Sequence, residues 1–154
     1  YSVATVSQFV SKWNKMKNPS FVSLIFHGGA HAMEINRISS KEVLVSHDAL
    51  YKTKHYSTKT IRNWKTTNSL KKFKSIQVLR MLSCNAGHKN HKNDNLASAF
   101  KKKIGGKVFA SDGNVSFYYG SMYSPRLSYN QRGFENAIKS FGYRMRKPTG
   151  FYYL

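Results

Sequence analysis

The 154-residue chain has one cysteine, Cys84, and only six acidic side chains. A single thiol excludes an internal disulfide, so this is not a small secreted scaffold stapled by cystines, and the thiol needs another use. No run of 18 apolar residues occurs, and the start YSVATVSQFV has neither a basic n-region nor a long apolar h-region, so no membrane span or signal peptide is visible. No internal repeat or low-complexity tract is present. The chain opens at Tyr1 rather than Met, which reads as a piece cut from a larger polypeptide, one that would carry any targeting information.

The shortage of acid leaves 26 Lys+Arg against 6 Asp+Glu, a formal charge of +20. A field of that size favours a polyanionic partner: nucleic acid, anionic lipid, an inositol polyphosphate or an acidic protein. The basic clusters Lys52-Lys54, Lys71-Lys72-Lys74, Lys101-Lys102-Lys103 and Arg144-Arg146-Lys147 alternate with Trp64, Phe73 and Tyr143, as a surface for phosphates and stacked bases would. No named nucleic-acid fold signature accompanies them, and a charged run is commonly just a solvated face. With 40% apolar and 14% aromatic residues the chain is composed to fold, and its length is that of a single domain over residues 1–154.

Val3, Val6, Phe9, Val10 and Trp13 share one helical face and Asn18-Pro19 stops it, which predicts a helix over about 3–17. The apolar run FVSLIF predicts a buried strand ending at His27, and Gly28-Gly29 a turn. AMEINRI and EVLVS read as two short strands, with Ser46 capping a helical turn over HDALYKT. From Lys52 to Lys74 the pattern is weak, anchored by Ile61, Trp64 and Leu70. SIQVLRMLS predicts a second buried strand, ending at Cys84. In DNLASAFKKKIGG, Asn93 or Asp94 would cap a helix that Gly105-Gly106 stops. KVFAS predicts a third buried strand, closing on Asp112. Beyond it lie the aromatic FYYGSMYSPRLSY, a helix over FENAIKSF, and a Tyr-rich end. Strand, helix, strand, helix, strand argues for an α/β sheet with parallel strands.

In open α/β sheets, catalytic groups gather in the crevice at the carboxyl ends of the strands. His27, Cys84 and Asp112 each end a predicted strand, so parallel neighbours would turn all three into one crevice. A thiolate is a strong nucleophile and imidazole its usual base, so Cys84 and His27 within hydrogen-bond reach would form a dyad. Gly28 and Gly29 would let backbone approach a substrate, and amides near Gly28 and Cys84 would bind a developing oxyanion. Small Ala86 and Gly87 would leave the space after Cys84 open. On these residues alone two plainer readings stand beside this one: Cys84 as a small buried hydrophobe, and His27 as a member of a glycine turn.

LIFHGGAHAMEI, then VLRMLSCNAGH, then NLASAFKKKIGGKVFASDG resembles the caspase-like (clan CD) cysteine peptidases, closest to the branches found in bacterial toxin polypeptides and in CHAT-type domains. The resemblance covers about residues 1–115 and includes the 57-residue separation of His27 from Cys84 (84 − 27 = 57). It implies a three-layer α/β fold, a caspase-like sheet of mainly parallel strands flanked by helices. It also implies roles: His27 as general base, Cys84 as nucleophile, Gly28 with Cys84 as oxyanion hole, and Asp112 on the substrate side, where it would favour a basic side chain. Asp112-Gly113 is equally an ordinary turn pair. Asn85 joins Asp112 as a substrate-side candidate. His31, Asn85 and Asp94 are candidates for a third catalytic group by proximity, although the resemblance requires none. The Tyr-rich C-terminal part matches no member of the family.

His88, His91 and Cys84 also invite a zinc reading, but H-x-x-H without a second cysteine or a nearby carboxylate pair fits no zinc pattern, so no metal is expected. Thiol chemistry needs no cofactor. For the charge, the resemblance supplies three causes: activation by inositol hexakisphosphate or another polyanion, threading of a translocated toxin through a channel, and pairing with an acidic immunity protein. The resulting expectation is a cysteine endopeptidase acting as a bacterial toxin or effector, secreted or translocated into a target cell and cleaving a protein in its cytoplasm. The alternatives are a basic nucleic-acid-targeting toxin, a nuclease whose cysteine is structural, and a catalytically silent caspase-like interaction module.

Overall fold

The computed structural model describes residues 2–36, 41–46, 61–113, 115 and 149–154. The turn predicted over HDALYKT, the aromatic stretch FYYGSMYSPRLSY and the helix predicted over FENAIKSF lie outside them.

Helix α1, Val6–Asn14, starts later than its apolar face because a capping box sets the boundary. The Gln8 N–H donates to Thr5 Oγ1 (3.1 Å), while Gln8 Oε1 accepts from the Thr5 N–H (3.3 Å). A further orphan donor at the helix start, the Val6 N–H, is taken by Glu42 Oε2 at 2.8 Å, and the Asn63 side chain donates to Oε1 of that buried carboxylate at 2.6 Å. At the far end Asn18 adopts φ 44° before Pro19, a conformation that cannot extend the helix.

The eight described strands divide into two sheets of four. In the first, β1 (Phe21–Ile25), β6 (Val78–Leu82) and β7 (Lys107–Asp112) run parallel as neighbours, and β8 (Gly150–Tyr153) adds antiparallel to β7, in the order β1-β6-β7-β8. In the second, β2 (His27–Gly28), β3 (Ala32–Asn36), β4 (Lys41–Val45) and β5 (Ile61–Thr66) follow in chain order, antiparallel except for β4 with β5. The architecture is mixed α/β, and the described strands form no single central sheet of the caspase type. The chain passes directly from β1 to β2, so the strand end carrying His27 belongs to the second sheet.

β1 differs from its expectation. FVSLIF was expected to be buried on both faces, yet among the described strands β1 lies at the edge of its sheet and its exposure alternates, with Phe21 55% and Ile25 69% exposed. β6 and β7 lie inside the sheet, and their inward side chains Leu79, Met81, Val108 and Ala110 are fully buried. These pack with Val6, Phe9 and Trp13 of α1 and with Leu96, Ala97 and Phe100 of α2 (Leu96–Lys101). Each of the larger aliphatic and phenylalanine side chains among them contributes on the order of 1.5–3 kcal/mol through burial. Trp13 sits at the centre, 5.3 Å from the Phe100 ring and 6.2 Å from that of Phe73, with its indole N–H donating to Lys71 O at 2.9 Å. Both described helices belong to this core. On the opposite face of the first sheet Phe109 stacks on Phe151 at 4.7 Å, Tyr153 is exposed, and none of the described helices packs there. A second helical layer is therefore not formed by the described residues.

α2 is capped by Asn95, one residue beyond Asp94 and two beyond Asn93, the expected caps: the Ser98 N–H donates to Asn95 Oδ1 at 2.8 Å. Among the described residues, no helix is long and apolar enough to cross a membrane.

Candidate functional site

The register of the parallel strands locates the predicted residues. Phe21 pairs with Val78 and Ile25 with Leu82, a constant offset of 57 (78 − 21 = 57; 82 − 25 = 57). His27 and Cys84 are separated by the same 57 residues (84 − 27 = 57), so this register, continued past Ile25 and Leu82, would bring them level; the recorded pairing ends at Ile25 with Leu82, and His27 itself pairs with Glu34 in the second sheet. The Phe26 N–H donates to Leu82 O at 3.3 Å, which carries the pairing beyond the strands themselves. On the other side of β6, Asn85 bonds to the end of β7: its N–H donates to Gly113 O (2.8 Å) and its Oδ1 accepts from the Gly113 N–H (3.1 Å). That pairing holds Asn85 at φ 55°, in the left-handed region that asparagine tolerates better than most residues.

His27 is exposed and Cys84 half-buried. The thiol is engaged by backbone: the Val115 N–H donates to Sγ at 3.3 Å, and Sγ lies 3.5 Å from Val115 O. Among the described residues no hydrogen bond joins Cys84 to His27. Gly28 has a packing reason to be glycine, because a Cβ there would lie 2.2 Å from Ala32 O across the β2–β3 turn. The space after Cys84 is filled, contrary to expectation. Ala86 is fully buried, and a Cβ on Gly87 would meet Ala110 Cβ at 3.0 Å and the Tyr152 ring and hydroxyl at 3.1 Å; that hydroxyl donates to Gly87 O.

Asp112, expected beside the substrate, is fully buried. Its Oδ1 accepts from the Lys89 N–H (3.2 Å), and its Oδ2 from the N–H and hydroxyl of Thr149 (3.0 Å each). It thereby ties the loop after Cys84 to the start of β8. An open groove of about 710 Å³ lies beside that tie, lined by Lys89, Asn90, Lys92, Asn93, Thr149, Tyr152 and Leu154.

The lysine runs at 71–74 and 101–103 are neighbours through the bridge between Phe73 and Ile104, at the amino ends of β6 and β7, away from Cys84. Burial, and after it the charge of Lys72, lowers the pKa of Lys103 below its ordinary 10.5; its ammonium donates to Leu70 O at 3.0 Å.

Sequence spacing missed one group. The zinc reading combined Cys84, His88 and His91, but the structure instead brings together His31, His91 and Asp94, with one ligand atom of each within 4.8 Å of the others. His31 comes from the β2–β3 turn and His91 from a short 3-10 helix, Lys89–His91, after β6. No local pattern links residues 60 positions apart (91 − 31 = 60); the only available signal was that both follow ends of paired strands. No family model, curated protein sequence or solved structure matches the chain.

Proposed function

We propose that this chain is a cysteine endopeptidase domain of caspase-like type, with Cys84 as nucleophile and His27 as general base. The observation that carries the reading is the shared offset of 57: the separation of the two residues equals the register of the strands that lead to them. Neighbouring parallel strands stand about 4.8 Å apart, so two residues held level just beyond such ends would be within reach of each other through side-chain rotation.

The chemistry follows from the residue types. His27 takes the thiol proton of Cys84, and the thiolate attacks the substrate carbonyl carbon. Amides at Gly28 and Cys84 would hold the developing oxyanion. His27 then protonates the leaving amine as the C–N bond breaks, leaving a thioester. Water, deprotonated by His27, hydrolyses that thioester and the thiol is restored. Before the first step Sγ must leave the backbone of Val115, so substrate or an activator has to shift the segment around residue 115 or turn the Cys84 side chain. A polyanion such as inositol hexakisphosphate could act in that way on so basic a chain. The substrate would be a protein, and the natural setting a toxin or effector delivered into a target cell, where an acidic immunity protein would neutralise it.

The contact between Cys84 and Val115 also favours a second reading, in which the thiol is structural and the domain a silent interaction module. Cleavage of a protein or peptide library and alkylation by thiol electrophiles, compared among wild type, Cys84→Ala and His27→Ala, separates the two. Loss of cleavage in both variants is expected. Cleavage retained in either removes the dyad, absence of both cleavage and labelling in wild type favours the silent module, and nucleic-acid degradation that survives Cys84→Ser would identify a nuclease.

A further inference from the structure

We infer that His31, His91 and Asp94 form a binding site for a divalent transition-metal ion of the zinc class. Among the described residues this is the one group of three His, Cys, Asp or Glu side chains whose ligand atoms lie close enough to share an ion, all within 4.8 Å of one another. His91 Nδ1 stands 3.9 Å from Asp94 Oδ1, and the His31 and His91 rings meet edge to face at 4.6 Å. Zinc binds imidazole nitrogen and carboxylate oxygen at about 2.0–2.2 Å in tetrahedral geometry, which sets ligand atoms about 3.4 Å apart. The three groups must close by about 1 Å, and the half-exposed Asp94 side chain has the freedom to do so.

Tautomer and backbone both favour the site. His31 Nδ1 lies 3.2 Å from Asp94 O, a carbonyl that can only accept, so Nδ1 carries the proton and Nε2 is the nitrogen that would ligate an ion. A ligating histidine is commonly oriented in this way by a carbonyl at its other nitrogen. His88, although its ring is 5.3 Å from that of His91, accepts the Asn90 N–H at Nδ1 (3.2 Å), which uses that lone pair. The two supporting loops are tied before any ion arrives. The Leu96 N–H donates to Ala30 O (2.6 Å) and the Ser46 N–H to His31 O (2.8 Å), while His91 O accepts from the N–H groups of Asp94 (3.1 Å) and Asn95 (2.7 Å). Two imidazoles and one carboxylate suit zinc, cobalt or nickel rather than magnesium or calcium, which prefer all-oxygen shells. Three protein ligands leave a fourth position to water or another exchangeable group. A bound ion would join the turn after β2 to the loop after β6, the segments that follow His27 and Cys84.

Titration of the full chain with cobalt, read in visible absorption and competed with zinc, tests the site. Wild type is expected to take up one ion per chain with a tetrahedral cobalt spectrum, and zinc to displace it and raise the thermal midpoint. His31→Ala, His91→Ala and Asp94→Asn should each weaken binding at least about 10-fold, since even supporting groups contribute that much. Cys84→Ser should leave spectrum and affinity unchanged. If a histidine-to-alanine variant loses cooperative unfolding, His31→Gln and His91→Gln, closer in size, take its place. Unaltered affinity in the variants, no uptake by wild type, or a thiolate-to-cobalt band that disappears in Cys84→Ser would overturn the assignment. Ion binding is measured here without reference to hydrolysis, so the result is independent of the peptidase reading.

Discussion

Replacing Asp112 by asparagine should destabilise the fold by about 3 kcal/mol, although the two side chains have nearly the same shape. The carboxylate is fully buried and receives donors on both oxygens: the Lys89 N–H on Oδ1, and the Thr149 N–H and hydroxyl on Oδ2. An amide has one acceptor oxygen. If that oxygen keeps the Thr149 pair, the new NH₂ faces the Lys89 N–H, donor against donor; if the amide flips, both Thr149 donors are orphaned. The milder arrangement loses one charge-assisted bond worth about 1.5–3 kcal/mol and strands a donor at a cost of about 1–3 kcal/mol. Relief of the buried charge offsets part of that loss. For a domain of this size, about 3 kcal/mol corresponds to a fall of about 6–12 °C in thermal midpoint, measurable by circular dichroism together with a urea midpoint. The same variant decides between a structural and a substrate-side role. Stability within about 0.5 kcal/mol of wild type, the level of an ordinary surface change, would refute the structural assignment.

Gly28→Ala should cost about 1–3 kcal/mol, because its Cβ would sit 2.2 Å from Ala32 O and the β2–β3 turn would have to open. Gly29→Ala, with nothing within 4 Å of its Cβ, should be nearly neutral, and equal thermal midpoints for the two variants would contradict the packing argument. Lys103 holds its proton less tightly in the folded chain than in the unfolded one, chiefly through burial. Stability should therefore rise as pH climbs through the lowered pKa toward 10.5, where the unfolded chain binds more protons. Lys103→Met should remove that increment from urea midpoints measured across the range, and parallel profiles for the two proteins would count against it.

Local pattern determined the parts of this protein whose causes lie within a few residues. The recurrence of Val6, Phe9 and Trp13 marks the buried face of α1, and SIQVLRMLS and KVFAS are legible as inner strands because apolar side chains occur on both faces, Val78 and Leu82 opposite Leu79 and Met81, and Phe109 opposite Val108 and Ala110. Those runs also place Cys84 and Asp112 at strand ends, and the offset of 57 from His27 to Cys84 can be counted without coordinates. Tertiary structure alone decided the rest. FVSLIF reads as a strand with two buried faces, but whether a second face is covered depends on which strands and helices arrive from elsewhere, and among the described strands β1 became an edge. The residues after it were captured by pairing with Glu34 and Met33, which split the strands between two sheets. Asp112 looks like a turn residue until Lys89 and Thr149 surround it. Only the crossover from β1 to β6 brings His31 to His91 and Asp94. Helical and strand periods report on neighbours a few positions apart, whereas the surroundings of a side chain are set by contacts among segments that loops of many residues connect.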